Sequence, residues 1–234
     1  MVPPLEHTLK QFDADLEAIR SKVLQMGGLV ELQIRNAVRG LSNGDADALE
    51  EVIQTDRQVN AFEVEIDDSC AQIIARRQPA AGDLRTVMSI SKTVTDVERM
   101  GDEAKKIARI GKQILARGQL VVPRLADVTH AAEAAIVLLR KALDAYARLD
   151  STGAQELIRE DVLIDTEFRA ILRQLITYMM EDPRTITTAM DIIWIAKAIE
   201  RIGDHSKNVA EQVVFIVEGT DIRHTMPSRA TSGV

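Results

Sequence analysis

The sequence predicts an all-α protein built from two tandem three-helix bundles that are related by internal duplication. Three observations predict this fold: apolar residues recur with a helical period, aromatic residues make up only 3% of the chain, and one six-residue motif occurs twice. A chain that is poor in aromatic residues and rich in Ala, Leu and charged residues favours helices packed on helices. Its 234 residues are enough for two halves that each bury a core.

Residues that break helices divide the chain into six long predicted helices. These cover about residues 8–41, 45–77, 79–116, 124–149, 154–181 and 183–218. In the second helix, apolar residues recur at intervals of three, four and seven residues, at Val59, Phe62, Ile66 and Ile73. We expect Pro79 and Pro183 in the first turns of the third and sixth helices, where a missing backbone N–H is tolerated. Short turns between long helices imply antiparallel neighbours.

The predicted helices fall into two sets of three, and the repeated motif lies on the third helix of each set. We therefore expect residues 1–119 to form the first bundle and residues 120–220 the second, with the joint at residues 120–123. Residues 221–234 are expected to form a loose C-terminal tail. The sequence leaves open whether the two bundles lie end to end or side by side.

The duplicated motif reads V-E-R-M-G-D at residues 97–102 and I-E-R-I-G-D at residues 199–204, so its copies are 102 residues apart. A repeated core position would keep only apolar character, whereas here a Glu, an Arg, a Gly and an Asp recur in one order. The Glu and the Asp are four residues apart, which places them about 40° apart on one face of a helix. The motif therefore gives two matched acidic pairs, Glu98 with Asp102 and Glu200 with Asp204.

The second and fifth predicted helices contribute further oxygen ligands. The second carries a polar stripe spaced by four, three and four residues, at Asp56, Asn60, Glu63 and Asp67. The fifth carries Asp161 and Asp165 in the corresponding place. Oxygen-rich clusters of this kind suit hard or borderline cations such as iron, manganese, magnesium or calcium. The alternative interpretation is a solvated, salt-bridged helix face, which is the usual role of acidic residues at this spacing.

Other residues near these stripes are interpreted as structural. The Gly27–Gly28 pair in the first helix indicates a packing notch or a kink. Gly101 and Gly203, inside the motif, indicate the close approach of another helix or of a ligand, because Gly in a helix interior costs about 0.5–1 kcal/mol relative to Ala. His205 directly follows the second motif, but Glu103 takes its place after the first, so we expect a surface histidine rather than a metal ligand.

The composition and the absence of several sequence motifs argue against some classes of function. The net charge of −7 argues against a general nucleic-acid-binding protein, which needs a basic face. The sequence has no E-x-x-H motif, no glycine-rich phosphate loop, no nucleophile elbow and no Cys/His cluster, so its pattern does not support an enzyme. The single cysteine, Cys70, cannot form an internal disulfide. With no signal peptide and no apolar stretch long enough to span a bilayer, the chain is expected in the cytoplasm.

Taken together, these motifs resemble those of the PhoU family, the bacterial accessory proteins of phosphate signalling, and most closely its proteobacterial members. The resemblance extends from about Phe12 to His224. It is carried by M-G-G-L-V-E at residues 26–31, A-R-R-Q-P-A-A-G-D-L-R at residues 75–85, both E-R-x-G-D copies, and T-Y-M-M-E-D-P at residues 177–183. It implies two three-helix bundles, a homodimer, and a cytoplasmic protein that reaches the membrane only through its partners.

The resemblance also implies a function. Family members restrain the phosphate-starvation response and link the ATPase subunit of the phosphate ABC transporter to a sensor histidine kinase. We therefore expect an adaptor that acts as a negative regulator and modulates phosphate uptake, rather than an enzyme. The alternative is a metal-binding or metal-dependent hydrolytic helical bundle built on the carboxylate clusters.

Some relatives bind multinuclear metal clusters through paired E/D-x-x-x-D motifs, and the resemblance implies candidate ligands for such clusters here. A cluster of iron, zinc, manganese or magnesium is expected, and the sequence leaves the choice of metal open. In the first bundle, Asn60 departs from the strictly acidic pair, so its site is expected to be weaker. The matching residues are Asp56, Asn60, Glu98 and Asp102 in the first bundle, and Asp161, Asp165, Glu200 and Asp204 in the second.

Overall fold

The structure is a computed structural model that describes residues 5–118, 124–160 and 162–222. Over these residues the chain forms helices and short connections without a β-strand, so the predicted all-α fold is confirmed. A 3-10 turn, Pro183–Thr185, precedes the last helix. The α-helices are α1 (Leu5–Asn43), α2 (Ala46–Arg77), α3 (Ala81–Ala116), α4 (Leu125–Arg148), α5 (Ser151–Glu160), α6 (Val162–Glu181) and α7 (Ile186–Glu218).

The helix ends follow local signals in the sequence. Gly44 forms the turn after α1 with a φ of 69°, in the left-handed region that favours glycine. Asp45 then caps α2, since its carboxylate accepts a hydrogen bond from the backbone N–H of Ala48 at 3.0 Å. Gly219 ends α7 with a φ of 74°, in the same left-handed region as Gly44. These residues fix the positions at which the long helices reverse direction.

The third and sixth predicted helices begin later than the sequence suggested. Pro79 lies outside α3, which begins at Ala81 because Ala80 is still extended, with a ψ of 169°. Pro183 lies in the 3-10 turn, and α7 begins at Ile186. A proline keeps the residue before it extended, and this residue, Asp182, has a φ of −138° and a ψ of 101°.

The single helix predicted over residues 154–181 corresponds to two helices. The first of them, α5, begins at Ser151 because the Asp150 carboxylate accepts a hydrogen bond from the backbone N–H of Gly153 at 3.0 Å. Asp161, between α5 and α6, lies outside the described residues, as do the expected joint at residues 120–123 and residues 223–234 of the expected tail.

Two three-helix bundles result, and they lie side by side. Helices α1, α2 and α3 pack together in the first, while α4 and α7 pack with the α5–α6 pair in the second. The most extensive contact between bundles joins α3 to α7, and α1 packs on α4. Helix α3 runs antiparallel to α7: Arg117 at the end of α3 pairs with Asp191 near the start of α7. The two helices that carry the duplicated motif therefore form the centre of the molecule.

Glycine allows close packing at one contact between the bundles and at one contact within the first bundle. A Cβ atom on Gly27 would lie 2.6 Å from a methyl carbon of Leu143, so this glycine is a notch in α1 that receives α4. Helix α1 continues through it without interruption. Within the first bundle, a Cβ atom on Gly101 would lie 3.2 Å from Val59 of α2. The close approach predicted at Gly101 is thus an approach of another helix.

Candidate metal centre

The second bundle gathers three of the predicted ligands into one cluster. Asp165 projects from α6, and Glu200 and Asp204 project from consecutive turns of α7. One oxygen from each carboxylate can be chosen so that all three lie within 4.8 Å of one another. In the part of the chain that the structure describes, this is the one group of three acidic, His or Cys side chains with ligand atoms so close together. Three carboxylates from two helices form a suitable donor set for a hard divalent cation.

Lys197 supplies an internal counter-charge to this cluster. Its ammonium donates to Glu200 at 2.6 Å and lies 5.4 Å from the centre of the Phe168 ring. Arg201 is also near, but its guanidinium donates to Glu103 of the first bundle at 2.8 Å. Arg201 also interacts electrostatically with Glu200 and Asp204, so two cationic side chains act on the carboxylate cluster.

The first bundle arranges its predicted ligands differently. Asp56 is buried, at 3% exposure, and accepts a hydrogen bond from the ammonium of Lys105 at 2.6 Å. The same ammonium donates to Asp102 at 3.3 Å. Lys105 thus bridges two residues that the sequence assigns to one metal. Asn60, the weak member of the predicted set, is exposed on α2.

Glu98 and Glu63 show how densely acidic the first site is. The pKa of Glu98 is raised, first by burial and then by the carboxylates of Asp102, Glu63 and Asp56. The pKa of Glu63 is raised by burial and by Asp67 and Asp102. The predicted stripe on α2 and the motif on α3 therefore face one another closely enough for their charges to repel.

Sequence reasoning missed the cationic partners of these carboxylates. Lys105 is three residues after Asp102, and Lys197 is three residues before Glu200, a spacing that pairs opposite charges on one helix face. That spacing could have identified both lysines. The expectation of a surface position for His205 was wrong: its side chain is only 15% exposed and lies 2.9 Å from Asp96 on α3.

Fold and site together define a duplicated helical-bundle protein with paired carboxylate motifs on its two central helices. A family model described as the PhoU domain matches residues 23–111 and 128–213, one match in each bundle. The chain belongs to the PhoU family.

Individual relatives agree with this assignment. The phosphate-specific transport system accessory protein PhoU homolog of Pseudomonas putida is 46% identical over 229 residues, covering 97% of this chain and 89% of the relative. The crystal structure of PhoU from Pseudomonas aeruginosa superimposes with a TM-score of 0.86 at 46% identity, covering 89% of this chain and all of that one. The phosphate transport system regulatory protein PhoU from Streptococcus pneumoniae superimposes with a TM-score of 0.82 at 27% identity, covering 90% and 98% of the two chains.

Proposed function

We propose that this protein is a negative regulator of the phosphate-starvation response. It acts as an adaptor that couples the phosphate ABC transporter, through its ATPase subunit, to a sensor histidine kinase, and it modulates phosphate uptake. The observation that carries the proposal is 46% identity over 97% of the chain to a protein named as an accessory of the phosphate-specific transport system. The Streptococcus pneumoniae relative, named as a regulatory protein of phosphate transport, supports the same role.

The proposed mode of action is contact in the cytoplasm. No helix in the described ranges has both the length and the apolar character needed to cross a bilayer. Information on external phosphate therefore reaches this protein through a membrane-bound partner and leaves it through a kinase. An adaptor shifts a two-state kinase when it binds one state more tightly, and a difference of a few kcal/mol is enough. We propose a homodimer as the acting form.

We further propose that the acidic cluster of the second bundle holds a metal ion as part of a multinuclear site. Asp165, Glu200 and Asp204 would supply carboxylate oxygens, with Asp161 as a fourth ligand. Iron, zinc, manganese and magnesium are the candidate metals. Asp56, Asn60, Glu98 and Asp102 form the weaker site, because the ammonium of Lys105 already donates to two of its carboxylates and offsets one of their charges.

The second candidate function is metal-dependent hydrolysis, and the observation that favours it is the same carboxylate cluster. We propose that the chain acts without catalysis, because its sequence offers no nucleophile and general base in a recognisable arrangement. Hydrolysis of a phosphoester by the metal-loaded protein tests this alternative. A rate well above that of a Glu200→Ala, Asp204→Ala variant would favour the enzyme.

Co-purification from phosphate-rich cells tests the adaptor function. The tagged full chain is expected to recover the transporter ATPase or the sensor kinase, and the tag alone to recover neither. Recovery of neither partner by the tagged chain, under conditions in which both are expressed, would contradict the proposal.

A further inference from the structure

A groove lies on the face of the molecule where the two bundles meet through α1 and α4. Its volume is about 500 Å³, and it is separate from both acidic clusters. The floor is apolar, since Val38 and Ile136 are buried, while Val137 at the rim is 49% exposed. We call this surface the α1–α4 groove; its principal residues are Arg35, Val38 and Arg39 on α1 and Ile136, Val137 and Arg140 on α4.

The rims of the α1–α4 groove are cationic. Arg35 and Arg140 both donate to the same oxygen of Glu31, so one carboxylate serves two guanidinium groups. Arg39 makes no ion pair with any residue that the structure describes. Glu133 is the acidic residue in the lining of the groove, and on its other side Arg39 also lines a cavity with Asp45 and Glu51. The lining of the groove itself therefore carries three arginines and one carboxylate, in a chain whose net charge is −7.

Duplication gives both sides of the groove the same chemistry. Arg35 and Arg140 are 105 residues apart, the offset that also relates Asp56 to Asp161. The same offset relates Leu32 to Val137, which are 47% and 49% exposed. Each bundle thus carries an exposed aliphatic side chain three residues before an arginine, and of these four residues Arg35, Val137 and Arg140 line the groove. The groove combines an apolar floor with cationic edges on both sides.

The dimensions of the groove fit a helix. On α4 its lining runs from Thr129 to Arg140. Eleven residues of α-helix rise about 16 Å, which is about three turns. An amphipathic helix that lies in an apolar groove commonly uses anchors over this length.

We propose that the α1–α4 groove binds an amphipathic helix of a partner protein, with aliphatic side chains on the floor and Asp or Glu side chains facing Arg35, Arg39 and Arg140. This inference rests on the proposed function, in which the chain acts by contact. It adds the surface and the chemistry of the partner segment. Charge complementarity at the groove favours an acidic helix over a basic one. The net negative charge of the whole chain would by itself favour a basic helix, so the two effects can be told apart.

Binding of designed peptides tests the groove without a natural partner. The probes are two fluorescent 18-residue amphipathic helices with the same leucine face, one with Glu and one with Lys on its polar face. Fluorescence anisotropy with the full chain is expected to show the Glu peptide binding at least about tenfold more tightly than the Lys peptide. Equal binding, or tighter binding of the Lys peptide, would overturn the proposal.

Variants inside and outside the groove test whether the Glu peptide binds there. Arg39→Glu and Val137→Glu, which change exposed side chains in the groove, are each expected to weaken binding of the Glu peptide about tenfold. Arg57→Glu and Val64→Glu make the same changes at exposed positions on α2, outside the groove, and are expected to leave binding unchanged. Equal effects of groove and control variants would overturn the proposal.

Two further outcomes separate this inference from its alternatives. Loss of dimer in Arg39→Glu alone, by analytical ultracentrifugation, would assign the groove to a second copy of the chain and overturn the proposal. The peptide result does not depend on whether co-purification recovers a kinase or an ATPase. Failure of the adaptor function and failure of the groove assignment are therefore distinguishable.

Discussion

His205 on α7 and Asp96 on α3 join the two bundles at their centre, with Nδ1 of the histidine 2.9 Å from Oδ1 of the aspartate. Asn208 donates to the same oxygen, also at 2.9 Å. Asp96 itself is 8% exposed. A buried carboxylate that serves two side chains of the opposite bundle fixes the register of α3 against α7.

Replacing Asp96 by Ala is expected to lower the free energy of unfolding by about 1–3 kcal/mol, because two largely buried polar groups lose their shared partner. Urea unfolding followed by circular dichroism measures the change. Asp68→Ala is the matched control, since Asp68 is exposed on α2. Equal free energies of unfolding for the two variants would show that the contacts of Asp96 with His205 and Asn208 do not hold the bundles together.

Replacing Gly27 or Gly28 by Ala is expected to change the stability of the protein in opposite directions. A Cβ atom on Gly27 would lie within 2.7 Å of both methyl carbons of Leu143, whereas a Cβ atom on Gly28 would have no neighbour within 4 Å. Gly27→Ala is therefore expected to lower the free energy of unfolding by about 1–3 kcal/mol. Gly28→Ala is expected to raise it by about 0.5–1 kcal/mol, because only the helix propensity changes. Similar free energies of unfolding in urea for Gly27→Ala and Gly28→Ala would contradict the packing notch at Gly27.

Glu98 makes stability depend on pH. Burial and neighbouring carboxylates raise its pKa above the ordinary value of 4.5, so the native state keeps this proton to higher pH than the unfolded state. The free energy of unfolding accordingly falls as the pH rises from 4.5 through the raised pKa. Without metal, Glu98→Gln is expected to be more stable than the parent protein at about pH 7, with the advantage disappearing near pH 3.5.

Glu50 provides a control of opposite sign. A hydrogen bond from Lys112 lowers its pKa below 4.5, so its stabilising effect is present above that pH and is lost as the pH falls through the lowered pKa. Glu50→Gln is expected to be slightly less stable than the parent at about pH 7 and equal to it in acid. Chemical denaturation in chelator at both pH values measures both variants. A Glu98→Gln variant that behaves like Glu50→Gln would contradict the electrostatic account of the first site.

Metal content is expected to depend mainly on the second bundle. Glu200→Ala with Asp204→Ala removes two of the three clustered carboxylates and should abolish its metal, with the helical circular dichroism largely intact. Glu98→Ala with Asp102→Ala should have a smaller effect, because Lys105 already bridges Asp56 and Asp102. Elemental analysis after chelation and reloading with manganese, iron, zinc or magnesium measures the stoichiometry. An unchanged value in the Glu200 and Asp204 variant would refute the assignment.

The fold was largely predictable because its signals are local. The helical period, Gly44, Asp45 and Gly219 mark where long helices run and stop, and the structure places the ends of α1, α2 and α7 within three residues of the predicted ends. The start of α5 at Ser151 lies before the predicted start at about residue 154, because the Ser, Thr and Gly that follow Asp150 are typical of a loop. The side-by-side arrangement was not predictable, since it depends on contacts such as Gly27 with Leu143 that join residues far apart in sequence.

The carboxylates of the candidate site could be predicted from the sequence, but the lysines that pair with them were not predicted. The duplicated motif identified Glu200 and Asp204, and the acidic row on the preceding helix identified Asp165. Sequence comparison of the two copies placed His205 at the surface because Glu103 replaces it in the first copy. The structure shows why that comparison failed: His205 binds Asp96 and Glu103 binds Arg201, so both equivalent positions face the opposite bundle.

Repression of the phosphate-starvation response by this chain is the central claim, and a reporter in a gene-deletion strain tests it most directly. In phosphate-rich medium, the reporter for a starvation gene is expected to be switched on in the deletion strain. Expression of the full chain from a plasmid is expected to switch it off again. A reporter that stays off in the deletion strain, while still responding to phosphate starvation, would contradict the account and leave a PhoU-family helical bundle without a regulatory role in this response.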